Sequence, residues 1–137
     1  MKTDETNPDH WFFLARERLE GADALYEARG ACYSAVELLE GAVERYLKGF
    51  LIRAGWPLRK VHNLSTILDA AVERDSRFKL FADLCEKLTA QFWAQHYPGG
   101  DLEDVGSDYE KLRQQASEMI ALILASVPPP DKPGDKE

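Results

Sequence analysis

Residues 36–57, Val-Glu-Leu-Leu-Glu-Gly-Ala-Val-Glu-Arg-Tyr-Leu-Lys-Gly-Phe-Leu-Ile-Arg-Ala-Gly-Trp-Pro, decide the fold class. Val36, Leu39, Val43, Leu47, Phe50 and Ala54 recur at steps of three and four, which is one face of an α-helix. Gly55, followed by Trp56-Pro57, ends it. Gly41 and Gly49 lie inside this helix, where each costs roughly 1 kcal/mol against alanine. Close approach by a neighbouring helix is the compensation that would keep them there.

The same period extends to both sides. Asn7-Pro8 has the form of an N-cap with proline at the first helical position. Trp11, Ala15, Leu19, Ala22 and Tyr26 then fall on one face, and Arg29-Gly30 stops that helix. A short third helix is expected over residues 64–74. Ser76 is the expected N-cap of a fourth helix, with Phe78, Phe81, Cys85, Leu88 and Phe92 at helical spacing, ended by Pro98-Gly99-Gly100. Ser107 and Glu110 have capping-box spacing ahead of a fifth helix carrying Tyr109, Leu112, Ala116, Met119, Ile123 and Val127. No segment alternates like a strand. The expected fold is therefore all-α: an up-and-down antiparallel bundle of four long helices plus one short one. Residues 1–7 read as a flexible N-terminus, 8–127 as a single domain, and 128–137, which begin Pro128-Pro129-Pro130, as a disordered tail.

The chain has 137 residues, is 45% hydrophobic and 30% charged, and carries a formal net charge of −7. That length can bury a core without staples. The overall acidity argues against a generic binder of nucleic acid or anionic membrane, and DNA is not an expected partner. The charge is uneven: net −2 over residues 1–10, zero over 11–100, and −5 over 101–137. The acidity beyond residue 100 sits chiefly in Asp101, Glu103, Asp104, Asp108 and Glu110. The neutral body leaves room for a local anion site, and Arg53, Arg59, Lys60 and His62 form its densest basic patch. No apolar run approaches the roughly 20 residues of a membrane span, and the N-terminus has no signal-peptide core. A soluble cytoplasmic protein is the expectation. The two cysteines, Cys32 and Cys85, form no C-x-x-C pair and read as small packing residues. No metal and no cofactor are expected.

Few residues advertise chemistry. There is no phosphate-binding glycine loop, H-E-x-x-H or nucleophile elbow. His10 is terminal and reads as idle. His62, in Lys60-Val61-His62-Asn63-Leu64, either packs or caps the third helix or serves an anion or a proton. His96, at the end of the fourth helix, either interacts with the helix C-terminus or is a site imidazole beside the Tyr97 phenol. Glu40, Glu44 and Lys48 are spaced by four. A solvated salt-bridged face is the simplest reading; otherwise these charges line a groove or a dimer seam. Trp11, Trp56 and Trp93 read as core packing before they read as stacking platforms.

Taken in order, these segments resemble a known family. Trp11…Ala15…Leu19…Ala22 is followed by Gly30-x-x-Tyr33, then Val43-Glu44-Arg45-Tyr46-Leu47-Lys48-Gly49-Phe50-Leu51, then His62-Asn63-Leu64-x-x-Ile67-Leu68, then Tyr97-Pro98. The combination, over residues 8–127, resembles the HEPN domain, named for nucleotide binding in higher eukaryotes and prokaryotes. The resemblance implies a four- to five-helix bundle, commonly a homodimer. Many prokaryotic members are encoded beside a minimal nucleotidyltransferase, and some such pairs are toxin–antitoxin modules. Members with ribonuclease activity carry arginine, four to six residues, then histidine; the arginine holds the scissile phosphate and the histidine moves the proton. Here the arginine positions hold Thr89, Ala90 and Gln91, so Gln91-x4-His96 keeps the spacing without the fixed charge. Where small members often have Arg-Tyr-Pro, this chain has His96-Tyr97-Pro98.

Three readings follow. The first, which leans away from an enzyme, is a non-catalytic HEPN-type module binding a nucleotide, an RNA or a nucleotidyltransferase partner through Glu44, Lys48, His62, His96 and Tyr97. The second is a metal-independent ribonuclease with His96 and Gln91 as candidate catalytic residues. The third is a helical dimerisation domain with no ligand site, its seam at Gly41 and Gly49.

Overall fold

The computed structural model describes residues 2–96, 98–102, 106 and 108–126. Among these there is no strand. Five helices follow one another: α1 (Pro8–Arg29), α2 (Tyr33–Arg53), α3 (Leu64–Arg74), α4 (Ala82–His96) and α5 (Tyr109–Ser126), with a 3₁₀ turn over Ser76–Phe81 leading into α4. α3 is the short member, as the spacing of its apolar residues predicts. No helix among the described residues is long and apolar enough to cross a membrane.

The boundaries follow local chemistry. The Asn7 side chain accepts the Asp9 amide at 2.9 Å, Pro8 opens α1, and Gly30 closes it at φ 76° with its N–H on the Tyr26 carbonyl. A side chain at Gly30 would be strained in that conformation. Three residues then turn the chain, so α1 and α2 lie antiparallel and form the most extensive helix pair. Asn63 caps α3, accepting from the amides of Ser65 and Thr66.

The start of the fourth helix differs from the expectation. Asp75, not Ser76, is the cap: its carboxylate accepts the Arg77 amide at 3.0 Å and clamps the Arg77 guanidinium at 2.7 Å. A carboxylate that caps and pairs at once outcompetes the neighbouring hydroxyl. Phe78 and Phe81, expected on the α-helix, are buried from the 3₁₀ turn instead. Ser107 of the expected capping box, Val127 and the proline-rich tail lie outside the described residues.

α2 is the axis of the bundle, packed against α1, α3, α4 and α5. Its core face, with Val36, Leu39, Val43, Leu47 and Phe50 buried, is the one the sequence marks out, while Ala54 lies past the helix end and is exposed. The two glycines of α2 are filled from α1. A Cβ on Gly49 would lie 2.5 Å from the Phe12 ring, and one on Gly41 would lie 2.9 Å from Arg18 Cδ. Both close approaches therefore occur within one chain. α5 returns to α1 through a bidentate pair, Arg113 to Asp23 at 2.7 and 2.9 Å, and through the Tyr26 hydroxyl donating to Glu110.

Candidate functional site

Because α2 is covered on most sides, its polar stripe is not a solvated face. Glu40, Glu44 and Lys48 are 5%, 6% and 2% exposed, which overturns the simplest sequence reading. The i,i+4 pattern survives as a buried pair: Lys48 Nζ donates to Glu44 Oε2 at 3.0 Å. The same oxygen accepts from His62 Nδ1 at 3.2 Å. The Lys48 ammonium also lies 5.5 Å from the centre of the Trp11 ring, within cation–π range. So three of the sequence-named residues, Glu44, Lys48 and His62, do meet. His62 neither packs nor caps; Asn63 takes the capping role and leaves the imidazole to reach Glu44 from the surface.

His96 stands elsewhere. Its Nδ1 donates to the Phe92 carbonyl at 2.8 Å, its ring stacks on Phe92 with centroids 4.0 Å apart, and its Nε2 lies 3.8 Å from the Glu37 carboxylate. Glu37 precedes Glu44 by seven residues, about two turns of helix, so His96 and the Glu44 cluster occupy different levels of the bundle. Gln91 does not join His96. Five residues set them about 140° apart around α4. Gln91 is 5% exposed, and its Oε1 has no hydrogen-bond partner among the described residues. Tyr97 lies outside the described residues. His10 accepts the Asp4 amide at 2.8 Å. Trp93 departs from the packing expectation and is 52% exposed.

Sequence reasoning missed a third group. Between α1, α2 and α4 lies an open cleft of about 410 Å³, lined by Arg18, Glu37, Glu40, Arg45 and Phe92 among others. Burial, then the neighbouring Glu44 charge, pushes the Glu40 carboxyl up to about 7. Burial, then the Arg18 charge, lowers the pKa of Arg45. Arg45 donates to the Gly41 carbonyl at 3.0 Å. The signal available in sequence was only the 3- and 4-residue spacing of Glu37, Glu40, Gly41, Glu44 and Arg45. Among the described residues, no three His, Cys, Asp or Glu side chains converge as a metal site.

The helical bundle agrees with comparison to known families. A profile of the HEPN domain matches residues 9–126. The chain belongs to the HEPN family. No curated protein and no solved structure matches it. Within this HEPN domain α4 contains no arginine.

Proposed function

We propose that this HEPN domain is a non-catalytic module that binds a nucleotide and does not cut RNA. The observation that carries the reading is Gln91: it is buried, uncharged and turned away from His96. Fixed positive charge at the scissile phosphate speeds phosphoryl transfer, and Gln91, at the family's spacing from His96, supplies none. The polar groups of α2 support the binding half of the reading, since they offer both cations and carboxyl groups from a rigid helix. A homodimer, a nucleotidyltransferase partner and a place in a toxin–antitoxin-like pair belong to the same proposal.

The ribonuclease alternative is favoured by one feature, the exposed His96 imidazole with the Glu37 carboxylate 3.8 Å from Nε2, a pair able to pass a proton. The experiment incubates labelled transfer and messenger RNA with the purified protein in EDTA, beside His96→Ala. Intact RNA is expected. Cleavage that disappears in His96→Ala overturns the proposal.

A further inference from the structure

The cleft between α1, α2 and α4 holds charged groups, Arg18, Glu37, Glu40 and Arg45, that form no ion pair with one another. Neither Arg18 nor Glu40 has a hydrogen bond or ion pair among the described residues, and the one hydrogen bond of the Arg45 side chain goes to a backbone carbonyl. Arg18 and Arg45 are nonetheless held side by side. A Cβ placed on Gly41 would lie 3.3 Å from Arg18 Nε and 3.2 Å from Arg45 Nη1. The bare backbone of Gly41 is what lets both guanidinium groups settle over one spot. Like charges brought together in a half-buried place raise the energy of the empty site, and an anion between them lowers it. Glu40 adds a second demand. It is 5% exposed and lines the same cleft, and with no protein hydrogen bond its carboxyl oxygens are left to a group that enters the cleft. Phe92 supplies an aromatic wall.

The geometry points to this cleft as the binding site for a single phosphorylated ribose compound, a mononucleotide: Arg18 and Arg45 hold its phosphate, Glu40 its sugar hydroxyls, and Phe92 packs against its base. This rests on the nucleotide-binding reading above and narrows it. The volume suits a small ligand, and Glu37 at the margin sets a negative charge against a second phosphate. A free mononucleotide therefore fits where an RNA strand would be repelled.

Isothermal titration with the intact protein tests this, using inorganic phosphate, ribose 5-phosphate, AMP and GMP as probes. Saturable binding is expected in the order nucleotide, then ribose 5-phosphate, then phosphate. Arg18→Ala and, separately, Arg45→Ala are each expected to weaken all of them by about tenfold or more. Glu40→Leu is expected to remove the advantage of ribose 5-phosphate over inorganic phosphate, and Phe92→Ala the advantage of nucleotide over ribose 5-phosphate. Circular dichroism confirms that each variant is folded. Arg18 is only partly buried, so its variant still decides the matter if Arg45→Ala unfolds. No saturable binding of either nucleotide to the parent protein overturns the inference, as does binding that Arg18→Ala leaves unchanged. Nucleotide binding that survives Arg18→Ala removes the cleft assignment alone; nucleotides that fail to bind at all remove the binding half of the reading with it, and RNA cleaved through His96 removes the non-catalytic half.

Discussion

Glu44 Oε2 is shared by two nitrogens, Lys48 Nζ at 3.0 Å and His62 Nδ1 at 3.2 Å, but the two contacts are unequal. The Lys48 side chain is almost wholly buried, whereas that of His62 is 72% exposed. Removing one member of a buried pair strands the other, at a cost of about 3–5 kcal/mol. Lys48→Ala is therefore expected to lose about that much stability in urea unfolding, and Lys48→Met combined with Glu44→Leu to recover most of it. His62→Ala is expected to stay within about 0.5 kcal/mol of the parent. A parent-like midpoint for Lys48→Ala would contradict the burial of this pair.

Glu40 makes stability depend on pH. Its carboxyl titrates near 7 in the fold, against an ordinary value of 4.5. Below the lower value it is protonated folded or unfolded and costs nothing. Between the two, the unfolded chain ionises while the folded one holds its proton, so stability falls as pH rises. Above the upper value the penalty is complete, roughly a few kcal/mol. Glu40→Gln is expected to melt higher than the parent at pH 8 and to lose that advantage at pH 4. Parallel melting curves for the two proteins across that range would count against the shift.

Gly49 and Phe12 are matched in shape. With the Phe12 ring 2.5 Å from where a Cβ would sit, Gly49→Ala must push an aromatic ring or a helix, and a loss of about 1–3 kcal/mol is expected. In a Phe12→Ala background the same substitution is expected to cost much less. Equal losses in both backgrounds, read from denaturant midpoints, would rule out this contact as the cause.

Gln91 invites the substitution that would rebuild the family's ribonuclease pattern. Gln91→Arg is expected not to create a ribonuclease. It buries a guanidinium without a partner and is expected to lose about 3 kcal/mol or more. Gln91→Leu removes an unsatisfied carbonyl oxygen and is expected to be neutral or stabilising. RNA cleavage by a folded Gln91→Arg would show that this position reaches the strand after all.

The helices were legible because their apolar spacing and their caps are local properties. Asn7-Pro8 and Gly30 do in the structure what such residues do elsewhere, whereas the cap of α3 is Asn63 and not the His62 beside it. The start of α4 was not legible, because Asp75 and Ser76 are both good caps and the choice turns on Arg77 clamping the carboxylate. The polar stripe was harder still. Glu40, Glu44 and Lys48 have the same spacing whether water or a neighbouring helix covers them, and what covers them is α2's central place in the bundle. Glu44, Lys48 and His62 come together in the structure, and His96 stands apart from them. Arg18 was invisible as a site residue, since nothing in the sequence of α1 says that it will lie over Gly41.

The clamp between α1 and α5 has a consequence for how the chain assembles. Asp23 and Arg113 are 90 positions apart, and Tyr26 and Glu110 are 84 apart, whereas α1 and α2 are joined by three residues. Contacts between near neighbours in sequence form sooner than those that must first close a long loop. On a chain emerging from the ribosome, the α1–α2 hairpin already has its partner when α5 has yet to be made. Arg18, Arg45 and Gly41 all belong to that hairpin, so the contacts that set the two guanidinium groups side by side do not wait for α5.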